Sequence, residues 1–429
     1  MRVCLFEDHG VVDLEPLTLT RPVFDLLCGA SPLSTKQTQY FAPCVAGTLV
    51  RPFLAELLAE RRPDVPVNDP AWLRLGPVVL VNGRWLPPGD NAGAAIAGAG
   101  PCLGMVGSDV AFAVLTPEYL AGLSAATLDS FLDDWKQTLP RREAGGTMIA
   151  GPWDLVDHNG QQLAEDFRGR SHDSRSSCRP LDLALVGPAG NLALHSTVRL
   201  DPLVVIDTTN GPVIVERDAY LGAFTRLEGP CYVGPGTYVV GAKVRGGTTI
   251  GPFCRVGGEV DASIIHGFSN KYHDGFLGHS YLGEWVNVGA GAQTSDLRHD
   301  YGEVVVTVGG LGVPTGQTKA GSYIGDHTKI GLGALLNTGT NIGVFAGVLP
   351  AGRLLPRYVP SFCAVSHGTL AENDDIEVLF ATAEEVMRRR GVRLTEAQQQ
   401  VYRRVYEQTT LQREQVLRDQ EPRKSRRAA

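Results

Sequence analysis

The chain has 429 residues, 43% of them hydrophobic and 20% charged, with a formal net charge of -7, which describes a globular protein with room for roughly two or three domains. The acidic balance gives no reason to expect nucleic acid, and no apolar run approaches the roughly 20 residues that span a bilayer, so we predict neither nucleic acid nor a membrane as a partner. The eight cysteines contain no CxxC pair or other zinc-ligand spacing, and the first residues do not form a signal peptide, so we expect a cytoplasmic protein with reduced thiols and leave the question of a metal open.

Residues 1–180 contain no repeat, and their pattern predicts a mixed α/β domain. Apolar runs at 2–6 and 77–81 predict buried strands, and helical spacing occurs at 53–60 and within 116–135. Residues 153–156 lead into the polar run 168–179 (RGRSHDSRSSCR), which predicts a linker or surface loop.

Residues 185–360 differ in character, because aliphatic residues recur every six positions. They include Leu221, Leu227, Val233 and Val239, then Val244, Ile250 and Val256, and later Ile324, Ile330, Leu336, Ile342 and Val348. Period six fits neither an α-helix nor a simple strand. It fits a coil of three short strands, each with one inward aliphatic residue, so we predict a left-handed parallel β-helix of hexapeptide repeats with about 18 residues per coil.

The repeat lapses at two places that flank the histidine-rich stretch Asn270–Gly291. Asp261–Gly275 lacks a clear hexad, and Thr294–Ser322 leaves the coil for about 30 residues. A loop that only covers a neighbouring surface is the alternative, but the position beside the histidines favours a functional excursion.

Residues 371–420 predict two helices that cover the open end of the β-helix. The first begins behind a possible cap at Asn373, and the second begins at Thr395 and continues through Leu417. Residues 421–429 contain the basic run RKSRR, which we interpret as a solvated tail rather than a nucleic-acid arm.

Two histidines in the polar stretch are candidates for a base that works near neutral pH. His273 lies in a segment without hexads, so its side chain need not point into the coil. His279 follows a Leu-Gly pair and could be a packed corner residue. We therefore rank His273 first.

Other polar residues and glycines near these histidines are candidates for binding. Lys271, Lys319 and Lys329 can supply point charges to phosphate, with a solvated surface role as the alternative for each. Asn287 is expected at an inward or corner position, and Asp274 or Asp296 could orient a histidine or bind a sugar hydroxyl. Close approach of a ligand to the backbone is possible at Gly289, Gly291, Gly331 and Gly333.

The hexads and the stretch KYHDGFLGHSYLGEWVNVGAG resemble the acetyltransferase half of the bifunctional UDP-N-acetylglucosamine diphosphorylase/glucosamine-1-phosphate N-acetyltransferase family. The opening FEDHGVVDLEPLTLTRPVFDLLCGA resembles a divergent branch with a short nucleotidyltransferase-like N-terminal domain. The resemblance implies that His273 is the catalytic base and that Phe276 stands where the family has a sugar-contacting tyrosine. It places Asn287, Asp296 and Lys319 at or near substrate-binding positions of the family. From their residue types and positions we also assign substrate binding to Lys271 and Asp274, and contacts to acetyl-CoA to Gly289, Lys329 and Gly331.

The implied function is transfer of an acetyl group from acetyl-CoA to an amino sugar phosphate such as glucosamine-1-phosphate, in a homotrimer. The N-terminal region departs from the family, because it lacks the Gly-x-Gly-Thr-Arg-Met loop of uridylyl transfer. Arg21 and Lys36 are the candidate triphosphate contacts there, and a structural or surface role is the favoured alternative for each. UTP and Mg²⁺ are the implied substrate and ion. Two alternatives stay open: a sugar nucleotidyltransferase as the main activity, and a non-enzymatic β-helix that binds a sugar nucleotide.

Overall fold

The structure of the chain is a computed structural model, which describes residues 1–89, 93–98, 100–170, 183–350, 352, 354–373 and 375–425. Within those residues no helix combines the length and the apolar character needed to cross a membrane. The fold is an α/β region, a parallel β-solenoid and a set of C-terminal helices, as the sequence predicts. The domain boundaries that we drew from the sequence stay predictions.

The N-terminal region contains a six-stranded sheet with the order β4-β1-β5-β8-β7-β9. The strands of this region are β1 (Arg2–Phe6), β2 (Leu27–Cys28), β3 (Ser31–Pro32), β4 (Val45–Leu49), β5 (Val78–Asn82), β6 (Trp85–Leu86), β7 (Cys102–Val106), β8 (Asp109–Leu115), β9 (Arg141–Glu143) and β10 (Thr147–Met148). β1 lies between β4 and β5 and runs parallel to both. Both predicted strands are therefore present, and their continuous apolar runs are buried because helices cover the sheet.

In the part of this region that the structure describes, six α-helices accompany the sheet. They are α1 (Leu33–Tyr40), α2 (Ala55–Arg61), α3 (Pro70–Leu73), α4 (Gly93–Ala97), α5 (Leu128–Thr138) and α6 (Pro152–Arg168). α2 and α5 confirm the helical spacing seen in the sequence. The sequence analysis missed α6, which begins with Pro152 at its first position and buries Trp153, Val156 and Leu163 at helical spacing. The predicted linker begins at the end of α6, and its residues 171–179 lie outside the described residues.

The solenoid has three faces of parallel strands, here called A, B and C. Face A contains Ala184–Val186, Val205–Asp207, Arg226–Glu228, Lys243–Val244, Glu259–Asp261 and Phe276–Gly278, followed by the pair Gln293–Thr294 and Leu335–Leu336. Face B contains Leu192–Leu194, Val213–Val215, Cys231–Val233, Thr248–Ile250, Ile264–Gly267, Tyr281–Glu284, Ser322–Ile324, Thr340–Ile342 and Tyr358–Val359. Face C contains Arg199–Leu200, Tyr220–Leu221, Tyr238–Val239, Arg255–Val256, Asn270–Lys271, Asn287–Val288, Lys329–Ile330, Gly347–Val348 and Cys363–Ser366, with Thr369–Glu372 added antiparallel. The hexad residues fill the space between the faces and form one continuous buried core.

The first predicted lapse of the repeat is wrong, and the second is confirmed. Residues 261–275 stay in the coil, because Ile264–Gly267 and Asn270–Lys271 pair in register with the coils on both sides. The excursion after Thr294 is real and contains a β-hairpin of Val305–Val308 with Leu311–Pro314. The coil then resumes directly above the previous one, with Tyr281 paired to Tyr323.

Aromatic rings stack along the corner between faces B and C, and the sequence analysis did not predict them. This corner ladder consists of Phe253, Phe268, Trp285, His327, Phe345 and Phe362. Successive ring centroids are 4.4 to 6.1 Å apart, with planes within 19° of each other. Each of these residues has a positive φ, the left-handed conformation that is unfavourable for residues other than glycine. Stacking of the rings offsets part of this conformational cost.

The C-terminal helices are α7 (Ile376–Arg388), α8 (Glu396–Gln408) and α9 (Thr410–Ser425). The N-cap of α7 is Asp375 rather than Asn373, because the Asp375 carboxylate accepts from the Val378 amide. Thr395 caps α8 as predicted, but that helix ends at Gln408 and a separate helix follows. The side chains of the predicted basic tail lie outside the described residues.

Candidate functional site

His279 lies at the corner between face A and face B, where the chain passes from Phe276–Gly278 to Tyr281–Glu284. Its backbone has a φ of 45° and is fixed by two hydrogen bonds. The His279 amide donates to the Asp261 carbonyl (3.0 Å), and the His279 carbonyl accepts from the Gly321 amide (2.8 Å). The ring is therefore presented from a rigid corner, and its side chain is 21% exposed.

The imidazole of His279 is paired with Asp296, one coil further along the chain. Nδ1 of His279 lies 2.7 Å from Oδ2 of Asp296. Burial raises the pKa of Asp296, but the hydrogen bond and the charge of His279 outweigh it and hold this pKa below its ordinary value. Because the ionised carboxylate only accepts, Nδ1–H of His279 donates to it, and in the neutral form of the imidazole the lone pair then lies on Nε2.

Phe276 and Lys319 complete this cluster. A Cβ atom built on Gly278 would lie 2.5 Å from Cζ of Phe276 and 2.5 Å from Oδ2 of Asp296, so ring and carboxylate meet over the glycine. Lys319 is exposed at the end of the excursion, and its charge also lowers the pKa of Asp296. The structure thus brings together Phe276, Asp296 and Lys319, three of the predicted substrate-binding residues.

A cavity of about 190 Å³ lies beside this cluster, between α6 and the solenoid. Trp153 and Val156 of α6 form its apolar wall, and His279, Lys319 and Tyr323 line the other side. Tyr323 is fully buried, and its hydroxyl has no hydrogen-bond partner among the described residues. A buried, unpaired hydroxyl is costly, which makes it a marker for a ligand or a water in native structures. Sequence reasoning missed this wall because it missed α6.

His273 occupies the corner at the other end of the same strand, between faces C and A. Its side chain is exposed, and within the described part of the chain its ring makes only an edge contact with Tyr272, at 5.6 Å between centroids. Its carbonyl accepts from Nζ of Lys271 (2.7 Å). The role of His273 as a base stays a prediction.

Lys271 is buried and holds the corner of His273 from inside the coil. Its ammonium donates to the carbonyls of Gly257 (2.9 Å) and His273 (2.7 Å), and burial lowers its pKa to about 8. Asp274 is exposed, and its carbonyl accepts from the Gly291 amide (2.8 Å). A phosphate at Lys271 would have to replace two backbone partners.

Asn287 lies on face C in register with Asn270 and Lys329. It is exposed, so the expected inward or corner position is wrong: Val286 and not Asn287 enters the core. Its Oδ1 lies 3.4 Å from Nδ2 of Asn270, whose own Oδ1 accepts from Arg390 beyond α7 (2.7 Å).

The residues predicted to contact acetyl-CoA lie in or directly after strands of face C, the face that also contains Asn287. Lys329 donates to the Trp285 carbonyl (2.8 Å), and burial lowers its pKa to about 8. A Cβ atom on Gly289 would lie 2.7 Å from the backbone of Gly331, so one coil packs directly on the next there. Their role in cofactor binding stays a prediction.

The two candidate triphosphate contacts are both paired inside the protein. Arg21 is buried and forms ion pairs with Asp326 and, at 3.4 Å, with Glu284 of the solenoid. Lys36 is paired with Asp166 of α6. Arg21 therefore joins the N-terminal region to the solenoid, and contact with a nucleotide would break these pairs.

The carboxyl ends of β1 and β5 form the edge of the sheet where ligands of open α/β folds bind. Asp8 follows β1, and its two oxygens accept from Nε (2.8 Å) and Nη2 (2.6 Å) of Arg84. Glu7 is similarly paired with Arg51 at 3.0 Å. No group of three His, Cys, Asp or Glu residues that could hold a metal ion occurs among the residues that the structure describes.

Comparison with known proteins shows one matching family and several similar curated proteins. Residues 3–175 match the family described as sugar nucleotidyl transferase. The chain is similar to a bifunctional sugar-1-phosphate nucleotidylyltransferase/acetyltransferase from Sulfurisphaera tokodaii, with 35% identity over 148 residues (33% of this chain, 36% of that protein). It is similar to the bifunctional protein GlmU of Synechococcus elongatus, with 26% identity over 245 residues (49% of this chain, 48% of that protein), and to GlmU of Jannaschia sp., with 32% identity over 168 residues (36% and 33%).

The match over residues 3–175 and the similarity to these bifunctional proteins confirm the resemblance found in the sequence. The matched segments span between about a third and about a half of the length of these curated relatives.

Proposed function

We propose that this protein transfers an acetyl group from acetyl-CoA to the amine of an amino sugar phosphate such as glucosamine-1-phosphate. The observation that carries the proposal is the cluster of Phe276, His279, Asp296 and Lys319 beside the cavity under α6. It places a histidine oriented by a carboxylate, together with a cation, around a space for a small polar molecule. The names of the relatives, which include an acetyltransferase, support the same activity.

The chemistry requires a neutral amine that attacks the thioester carbonyl. A histidine accepts the amine proton, and a backbone N–H at a coil corner stabilises the tetrahedral oxyanion. The thiolate of CoA leaves and takes up the proton. Lys319 holds the sugar phosphate as a point charge, and CoA lies along the hexads between Gly325 and Gly347. The resemblance assigns the base to His273.

The function is tested by incubating the purified chain with acetyl-CoA and glucosamine-1-phosphate. We expect free CoA thiol to appear together with a sugar phosphate that is heavier by one acetyl group in mass spectrometry. If acetyl-CoA binds in calorimetry but no thiol is released with any amino sugar phosphate, the solenoid is a binding scaffold and the proposal fails.

A second activity, nucleotidyl transfer to a sugar-1-phosphate, is favoured by the family match over residues 3–175. The paired carboxylates of Glu7 and Asp8 do not fit a ready magnesium site, because arginine occupies their oxygens. The test is pyrophosphate release from UTP and N-acetylglucosamine-1-phosphate with Mg²⁺. Release at the background rate would leave this region as a structural partner of the solenoid.

The expected homotrimer and cytoplasmic location also stay proposals. The trimer is expected because acyltransfer sites in hexapeptide-repeat proteins lie between neighbouring subunits. Sedimentation equilibrium of the full chain measures this assembly.

A further inference from the structure

We propose that the cavity between face C of the solenoid and α7 binds a small monovalent anion such as chloride, held by Lys329 and His327. The ion joins the C-terminal helices to the solenoid. This site lies apart from the cavity under α6 and does not depend on acetyl transfer, so its test is independent of the proposed function. It gives Lys329 a role other than the contact to acetyl-CoA that its residue type and position suggest.

The cavity has a volume of about 80 Å³ and lies between two elements. Leu379, Thr382 and Ala383 line it from one face of α7, because residues three and four apart share a helix face. The wall on the solenoid consists of His327, Lys329, Phe345, Ala346 and Gly347. The volume is far below the roughly 300 Å³ at which pockets for drug-sized ligands begin, but above the roughly 30 Å³ that one water occupies in the liquid. The space therefore suits an ion with a water rather than a sugar or a nucleotide.

Lys329 brings a positive charge to this cavity. Its ammonium donates to the Trp285 carbonyl (2.8 Å), and no ion pair or further hydrogen bond of this ammonium occurs within the described residues. Burial lowers the pKa of Lys329 to about 8, so the side chain is still mostly protonated at pH 7. An anion beside it would supply a counter-charge, and the attraction is strong where little water screens it.

His327 adds an N–H that has no acceptor in the described part of the chain. Its ring is buried in the corner ladder, with centroids 6.1 Å from Trp285 and 4.6 Å from Phe345. Nε2 lies 3.1 Å from the hydroxyl of Tyr402, while Nδ1 has no hydrogen-bond partner among the described residues. A buried polar group without a partner is costly and marks a place for a ligand or a water.

The proton of the His327 ring lies on Nδ1. Burial lowers the pKa of His327 to about 3, so the ring is neutral and carries one proton. Burial also raises the pKa of Tyr402, and the described residues offer its hydroxyl no acceptor other than Nε2 of His327. The Tyr402 O–H therefore donates to Nε2, and Nδ1–H is left as a donor.

The charges around the cavity favour an anion over water alone. The described residues that line it include no carboxylate, and Asp326, next to His327 in the chain, is already neutralised by its buried ion pair with Arg21. A water could accept from Nδ1–H of His327, but it would leave the charge of Lys329 uncompensated.

The remaining groups of the cavity select a small monovalent ion. Asn373 also lines the cavity and can donate a third N–H from its side-chain amide. Phe345, Leu379 and Ala383 make the rest of the wall apolar, which suits a weakly hydrated ion better than phosphate or sulfate.

The bound ion would hold α7 at a place where the helix has few polar contacts to the solenoid. Arg390, just beyond the end of α7, donates to the Phe253 carbonyl (2.8 Å) and to Oδ1 of Asn270 (2.7 Å). The cavity lies under the first half and the middle of α7, so the ion and Arg390 would fix the helix at two separate points.

The test compares thermal unfolding of the full chain in sodium chloride and in sodium gluconate at equal ionic strength. We expect chloride to raise the midpoint of the wild type by about 1–3 °C at ten times its dissociation constant. The shift should vanish in Lys329→Met and shrink in His327→Phe, which keeps a ring in the ladder. It should persist in Lys271→Met, the matched control, which removes a buried lysine that is bonded to two carbonyls.

Crystals of the wild type grown with sodium bromide give a second readout, because bromide replaces chloride and scatters anomalously. We expect an anomalous peak between Lys329 and His327. Equal midpoints in the two salts overturn the proposal and leave the cavity to water. A chloride shift that survives in Lys329→Met also overturns it, because the ion then binds elsewhere. If Lys329→Met does not fold, absence of the bromide peak is the result that overturns the site.

Discussion

Gly278 is the residue on which the shape of the candidate site depends most directly. Phe276 and Asp296 meet over this glycine, and its amide donates to Oγ1 of Thr294 (3.1 Å). The Cβ atom of any other residue here would clash with the Phe276 ring and with the Asp296 carboxylate. The pairing of Asp296 with His279 therefore requires a glycine at the end of the face A strand.

We predict that Gly278→Ala lowers acetyl transfer strongly while the solenoid stays folded. The added methyl group would lie 2.5 Å from Oδ2 of Asp296, which is closer than non-bonded atoms can approach. The carboxylate that orients His279 must therefore move. The matched control is Gly190→Ala, where the methyl group meets nothing within 4 Å. Equal activity of the two variants, measured by CoA release, would contradict this role.

Lys271 has a different effect, on stability rather than on chemistry. Burial lowers its pKa from 10.5 to about 8 in the folded chain. Between these values the unfolded chain binds a proton that the folded chain lacks, so this lysine makes the free energy of unfolding rise with pH. The rise is at most about 1.4 kcal/mol per pH unit.

We predict that the stability of the wild type relative to Lys271→Met increases from about pH 8 to about pH 10.5 in urea unfolding. Lys243→Met, which removes an exposed lysine from the same solenoid, should show no such trend. Parallel pH curves for the wild type and Lys271→Met would show that the ammonium is not destabilised by burial.

α6 is the element that connects the α/β region to the candidate site. Its Asn159 bonds to the segment before α1 and to face B at once, so one side chain fixes the helix over the cavity. The corner ladder performs a similar role on the opposite side, where Phe345 packs on Phe380 of α7 and Tyr402 of α8. The solenoid is thus covered on two sides.

We predict that Asn159→Leu destabilises the protein by about 1–3 kcal/mol and raises the acceptor KM. The substitution leaves buried backbone groups of Gly29 and Gly247 without partners and loosens the cavity wall. Gln161→Ala, an exposed position on the same helix, is the control and should change neither quantity. A KM unchanged by Asn159→Leu would mean that α6 does not contribute to acceptor binding.

At the scale of the whole molecule, buried charges join the α/β region to the solenoid. Arg21 pairs with Asp326 and Glu284, and the Asp326 carboxylate also accepts from Thr20 (2.6 Å) and from the Glu284 amide (2.7 Å). Burial raises the pKa of Glu284, but the charge of Arg21 outweighs it and lowers that pKa. The α/β region and the solenoid therefore depend on each other.

We predict that Arg21→Met lowers the free energy of unfolding by about 3–5 kcal/mol, because two carboxylates are left buried without their cation. Arg245→Met, which removes an exposed partner of Glu259, should cost less than about 1 kcal/mol. Similar thermal shifts for the two variants in calorimetry would show that the Arg21 network does not hold the regions together.

Different parts of this structure were predictable from the sequence for physical reasons. The solenoid was predictable because the pattern of its core is local: each hexad places one aliphatic residue inward. α6 was not predicted, although Trp153, Val156 and Leu163 have helical spacing. Residues 153–156 were instead interpreted as the lead into the polar run at 168–179. The pair of His279 and Asp296 lies 17 residues apart, which is one coil, so the repeat period contained an unused signal. The bond from Arg21 to Asp326 spans 305 residues and has no local signal.

The most direct test of acetyl transfer at this site follows the acetyl group itself. Acetyl-CoA labelled with ¹³C is incubated with ¹⁵N-glucosamine-1-phosphate, and the product is observed by NMR. We predict a ¹³C–¹⁵N coupling that appears in proportion to the enzyme and is strongly reduced in Gly278→Ala. A labelled acetyl group that stays on CoA, at the rate seen without protein, would contradict it.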